Sequence, residues 1–213
     1  EKLSRFNIDI DLHSWYSIAI NGKERRMHMN IDAILVNHCS PTLAGLKMGA
    51  LLCLPRQESL VEYQKLLDNY NHKYNSKGLH FRILYCCPQR TLLYIYRPTM
   101  VEAYVKQPKI QNFLKRFGYA GESSLSTMLT YLSYRFRKGG CFPHESGIFL
   151  GYPLEDVYGF IINRGNHAKL CGEWKVYGDA AKASHLFHQY ECCRQDYINR
   201  FAIGTTLESL IVA

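Results

Sequence analysis

Apolar residues recur along this chain at two different spacings, and the points where the spacing switches divide it into elements. Trp15 to Ile20 and Lys23 to Met29 flank Asn21-Gly22, and an Asn-Gly pair between β-prone runs supplies the backbone of a tight turn, which predicts a hairpin. Leu43, Leu46, Ala50 and Leu54 follow at helical spacing; Ser40 can cap such a helix, Pro41 suits its first turn, and Pro55 ends it. Leu60, Tyr63, Leu67, Tyr70 and Tyr74 continue at steps of three and four, the stripe of an amphipathic helix that stops near Lys77-Gly78. The period then shortens. Phe81 to Tyr85 and Thr91 to Tyr96 are β-prone runs on either side of Cys86-Cys87-Pro88-Gln89-Arg90, which predicts two antiparallel strands joined by a longer turn.

Helical spacing returns with Ile110, Phe113, Leu114 and Phe117 before Gly118, and with Leu125, Met128, Leu129 and Leu132 behind a Ser123-Ser124 cap. Pro143 opens a further segment, and Leu154, Val157, Tyr158 and Ile161 mark a short helix closed by Gly165. A strand fits Glu173 to Tyr177, and Asp179 caps a helix that carries Ala183, Leu186, Phe187 and Tyr190. Helices outnumber about three core strands and do not alternate with them, so the expected fold is α+β: a helix-rich single domain, residues 33–213, around a small, mostly antiparallel sheet, with residues 1–32 as an N-terminal hairpin extension.

Composition narrows the function classes. With 47% hydrophobic and 13% aromatic residues among 213, the chain can close a core without staples, which excludes disorder as its main state. No apolar run approaches the roughly 18 residues of a spanning helix, and the basic, apolar and small-residue opening of a signal peptide is missing, so a cytoplasmic protein without a membrane role is expected. The eight cysteines form no C-x-x-C pair, which removes the usual signature of zinc ribbons and redox dithiols and leaves reduced, mostly packing thiols. Net charge is +8, and it is concentrated: residues 73–140 hold twelve Lys or Arg against Glu102 and Glu122. Tyrosines at 94, 96, 104, 119, 131 and 134 interleave with those cations, the composition of a surface that binds nucleic acid or an acidic protein, although solvated helix faces account for the same pattern.

Three separated segments resemble a known family. Cys141 to Ile161, reading Cys-Phe-Pro-His-Glu-Ser-Gly-Ile-Phe-Leu-Gly-Tyr-Pro-Leu-Glu-Asp-Val-Tyr-Gly-Phe-Ile, is similar to the signature block of domain of unknown function 3793, a bacterial family common in anaerobes. Asn37-His38-Cys39-Ser40-Pro41-Thr42-Leu43 through Lys47 resembles its opening motif, and Cys171-Gly172-Glu173-Trp174-Lys175-Val176-Tyr177 its late strand. Ser146 stands where the family pattern has an apolar residue. The resemblance covers about residues 33–211, occurs in the right order, and implies a cytosolic bacterial protein without bringing a reaction, cofactor or partner.

The residues themselves suggest chemistry. Just before a predicted helix start, Cys39 would feel the helix dipole and unpaired amides, which lower a thiol pKa and suit a nucleophile. His144 would be its base and Glu145 would orient the imidazole, with His38 as a second base or ligand. Lys47 could bind an anion, Tyr152, Glu155 and Asp156 could line the same cleft, and Trp174 and Lys175 could contact a ligand from their strand. The first expectation is therefore a thiol-dependent or small-molecule site, taking a small molecule or an anion, in which the two helix starts meet around one pocket. A non-enzymatic metal- or haem-binding protein would use His38, Cys39, His144 and Glu145 as ligands, with Cys87-Pro88 as a further haem-site likeness. A basic adaptor working through residues 73–140 is the third class. No motif assigns a cofactor or an oligomeric state.

Overall fold

The computed structural model describes residues 30–55, 60–121, 123–138 and 142–213; the hairpin expected around Asn21-Gly22 lies outside the described residues. Among them, nine α-helices surround a three-stranded antiparallel sheet, and two short strands form a second sheet, which is the α+β single-domain arrangement expected.

The first helix, α1 (Ile31–Leu43), begins where Asn30 accepts a hydrogen bond from the Ala33 amide at 3.1 Å. Its position overturns one expectation: the helix predicted from Leu43 to Leu54 is instead a turn followed by strand β1 (Gly49–Pro55). The run Ala50 to Leu54 is apolar throughout and therefore matches both periods, and four of those five residues are buried, as a strand covered on both faces requires. Ser40 and Pro41 lie near the end of α1 rather than at a helix start. The Ser40 hydroxyl donates to the Val36 carbonyl within the helix, and the Pro41 carbonyl accepts from the amides of Leu46 and Lys47 at 2.8 and 3.0 Å, turning the chain toward β1.

Helix α2 (Leu60–Tyr74) ends in a 3₁₀ turn at Asn75–Lys77, where Gly78 takes φ +70° as only glycine does cheaply. Strands β2 (His80–Cys86) and β3 (Arg90–Tyr96) pair antiparallel as predicted, with a register irregularity between Ile83 and Tyr85. β1 pairs with the other edge of β3, from Gly49 opposite Tyr96 to Pro55 opposite Arg90, so the order is β1-β3-β2. The central strand is buried from Thr91 to Tyr96. Leu93 and Ile95 face the core built with α1 and α2; Leu92, Tyr94 and Tyr96 face the opposite core.

That second core is closed by α3 (Pro98–Val105), α4 (Pro108–Lys115), α5 (Leu125–Lys138) and the single turn α6 (Ser146–Phe149). α7 (Leu154–Asn163) leads to the hairpin of β4 (Leu170–Cys171) and β5 (Lys175–Val176), shorter than the strand expected over Glu173 to Tyr177. The 23-residue α8 (Ala180–Ala202), capped by Asp179 as predicted, lies along α1, and α9 (Leu207–Leu210) completes the first core.

Arg97 ties these layers together. Its buried guanidinium donates to the carbonyls of Thr42 and Leu43 at the end of α1 at 2.7 and 2.5 Å, to Val212 at 2.7 Å and to Lys77 at 3.4 Å. The negative end of the α1 dipole and this ring of carbonyl oxygens take the place of a carboxylate partner.

Candidate functional site

A cavity of about 140 Å³ opens between the Phe142–Leu150 segment, α7 and the β4–β5 hairpin. Phe142, Tyr152, Phe160 and Trp174 supply its aromatic walls, with Leu150 and Val157 beside them. Gly147 allows the walls to close, because a Cβ there would stand 2.9 Å from Val157 Cγ2 and 3.0 Å from Tyr152 Cδ2. Trp174 stacks on Tyr152 with ring centroids 4.9 Å apart and meets the ring of Phe187 edge-on at 4.6 Å.

Asp156, in the first turn of α7, fixes that arrangement. One carboxylate oxygen accepts from Trp174 Nε1 at 2.7 Å, and the other from the amides of Tyr177 and Gly178, each at 2.7 Å. Tyr104 donates its hydroxyl to the Tyr152 carbonyl at 2.8 Å, and Tyr152 donates its own to the Glu173 carbonyl at 3.2 Å. Behind the wall, the Glu173 carboxylate accepts from Lys47 Nζ at 2.9 Å and from Arg194 at 2.6 Å. Burial alone would push the Glu173 pKa up, but the two cations hold it below the ordinary carboxylate value. Lys47 lies between the rings of Tyr152 and Tyr190, 5.8 and 5.6 Å from their centroids.

The remaining polar groups of the lining differ in how far they are committed. Lys175 donates to the Gly165 carbonyl at 3.1 Å. His144 packs on Phe160 with centroids 5.1 Å apart, and burial lowers its pKa against the opposing charge of Glu145, so the ring is neutral near pH 7. Ser146 is 4% exposed, and no described residue hydrogen-bonds its hydroxyl or either ring nitrogen of His144.

Of the residues singled out in the sequence, His144, Tyr152, Asp156, Trp174 and Lys175 line this cavity. Lys47 stands behind the lining, against Glu173 and the ring of Tyr152, and the side chain of Glu155 packs against Gly178. Glu145 does not orient His144: it is 0% exposed and its Oε1 accepts from Arg135 Nε at 2.8 Å and the Tyr119 hydroxyl at 3.5 Å, while Oε2 has no partner. Phe142, Ser146, Phe160 and Glu173 were not anticipated as lining residues, although three of them belong to the quoted signature block and Glu173 directly precedes Trp174.

Cys39 is a correction. It sits in the later part of α1, fully buried in the core beneath α8, and is absent from the cavity lining. The helix end nearest to it disfavours negative charge, and burial pushes the thiol up to about 12, opposite to the lowering expected of a nucleophile at a helix start. His38 stands on the surface of α1, where crowding of the ring, and then the Arg194 guanidinium, hold its pKa below the usual histidine value. The two helix starts therefore do not share one pocket. In native protein at pH 8, Cys39 is expected to escape iodoacetamide while the exposed Cys171 and Cys192 react; peptide mapping by mass spectrometry checks this, with denatured protein as the fully labelled reference.

Among the described residues no three His, Cys, Asp or Glu side chains gather as a group that could hold a metal ion. The basic stretch is partly absorbed by the fold: Arg97 is buried, Lys73 pairs with Glu208 at 3.0 Å, Lys106 with Glu102 at 3.4 Å and Arg135 with Glu145 at 2.8 Å.

The molecule is thus a helix-rich α+β domain in which segments from three distant parts of the chain build or buttress one aromatic-walled cavity. The family model described as Protein of unknown function (DUF3793) matches residues 35–211, and the chain belongs to that family. No curated protein and no solved structure matches it. No helix among the described residues is long and apolar enough to cross a membrane.

Proposed function

We propose that this is a cytoplasmic protein that binds an uncharged, largely apolar small molecule, about one aromatic ring in size, in the cavity walled by Tyr152, Phe160 and Trp174. The observation that carries the reading is the division of polar groups around the cavity. Asp156 and Glu173 already accept from donors and Lys175 has an acceptor, whereas the hydroxyl of Ser146 and the neutral His144 ring keep hydrogen-bonding capacity unused. A charged ligand would have to leave water for a mostly aromatic lining whose carboxylates already hold donors and whose lysine is held on a carbonyl, at considerable desolvation cost. A neutral ring with one polar substituent meets the walls and one of the two free groups. Size agrees, since apolar protein cavities of roughly 150 Å³ accept benzene and this one measures about 140 Å³.

Ligand-detected NMR with indole and benzyl alcohol, against benzoate and benzylamine, tests the proposal. The neutral probes are expected to bind in the millimolar range or below, and the charged pair roughly ten-fold more weakly or not at all. Ser146→Leu fills the cavity and is expected to abolish binding without unfolding the protein; Ser146→Ala keeps the space and weakens it modestly. Equal binding of all four probes, no binding of any, or undiminished binding to a folded Ser146→Leu variant overturns the reading.

A further inference from the structure

The side of α8 away from the core carries a second feature. His185, His188, Gln189 and Cys192 lie at helical spacing and are all exposed, whereas Ala183 and Tyr190 on the other side are buried. His188 Nε2 and Cys192 Sγ, one turn apart, are separated by 3.5 Å. A tetrahedral ion with a metal–sulfur bond of about 2.3 Å and a metal–nitrogen bond of about 2.0–2.1 Å needs its two donors roughly 3.5–3.6 Å apart. The pair is therefore already set to that bite, on a long helix whose N-terminus is fixed by the Asp179 cap. No lysine or arginine occurs between Ala183 and Cys193 to repel a cation. His185 does not join them, since its Nε2 meets Gln189 Nε2 at 3.1 Å.

We propose that His188 and Cys192 form a two-residue surface site for a thiophilic transition-metal ion of the Zn²⁺ class, with solvent completing the coordination. His188 donates its Nε2 lone pair. Cys192 binds as thiolate, its proton passing to buffer as the metal–sulfur bond forms. The site is distinct from the aromatic cavity, whose lining includes neither residue. Without the ion the same 3.5 Å separation is a hydrogen bond between sulfur and ring nitrogen, which gives way when the ion enters.

Titration of the whole reduced chain with Co²⁺, followed by Zn²⁺ displacement, reads the site directly. One equivalent of Co²⁺ is expected to produce a near-ultraviolet thiolate-to-metal charge-transfer band that Zn²⁺ removes. Cys192→Ser should lose the band, His188→Ala should weaken binding at least ten-fold, and Cys193→Ser should leave both intact. Because His188 and Cys192 are exposed, circular dichroism of these variants should match that of the parent chain. The absence of any band in the parent chain overturns the site, as does a band of undiminished strength in Cys192→Ser.

Discussion

Replacing Arg97 by methionine is expected to lower the stability of the fold by roughly 3–5 kcal/mol, the largest single-residue effect outside the hydrophobic cores. Methionine keeps much of the aliphatic stem but leaves the carbonyls of Thr42, Leu43 and Val212 without their charged donor, the first two keeping only the amides of Gly45 and Val212 at 3.2 and 3.1 Å. An unmade hydrogen bond at a buried carbonyl costs more than a made one contributes, because the group has also lost water. Arg97→Lys is expected to recover only part of the loss, since a single ammonium does not reproduce the planar fork that reaches both ends of this cluster. Urea denaturation followed by far-ultraviolet circular dichroism measures both variants; a midpoint for Arg97→Met equal to that of the parent chain would show that the cluster is not what joins the layers.

Asp156→Ala comes next, with an expected loss of about 2–4 kcal/mol together with loss of probe binding in the cavity. Asp156→Asn is expected to do little better despite its matching shape. Trp174 Nε1 and the amides of Tyr177 and Gly178 are all donors, so an amide placed there must turn its own NH₂ toward at least one of them. Freed of its anchor, Trp174 should rotate off Tyr152, which shifts the indole N–H resonance and opens the cavity wall. An unchanged resonance in Asp156→Asn would mean that ring stacking alone holds the tryptophan.

Much of the architecture was readable along the chain where capping and period agreed. Asp179, the Ser124 cap of α5, and the glycines at 78, 118 and 165 all sit at the boundaries expected of them, with φ of +70°, +90° and +77° at the glycines. Leu43 to Leu54 failed because a continuous apolar run carries no period, and the Ser40-Pro41 pair resembled a start while serving near an end. α3 went unread because its eight residues, introduced by Pro98, give a short and weakly patterned stretch. The site divides in the same way. Aromatic and acidic members of the wall lie close together in two motifs, but the Lys47–Glu173 pair spans 126 positions and belongs to tertiary structure alone. Ser146, a polar residue where an apolar one fits the family pattern, was the local clue to the cavity.

The clasp between α1 and α8 has a consequence for how the molecule assembles. The β2–β3 hairpin can close from neighbouring residues, and α1 shares its core with the sheet and α2, but the side of α1 that packs on α8 is covered only once the C-terminal helix is in place, and the Val212 amide returns to the Leu43 carbonyl at 3.1 Å. Completion of the first core therefore waits on the last helices to be synthesised, a sequence-distant closure whose loop entropy is paid before its contacts form.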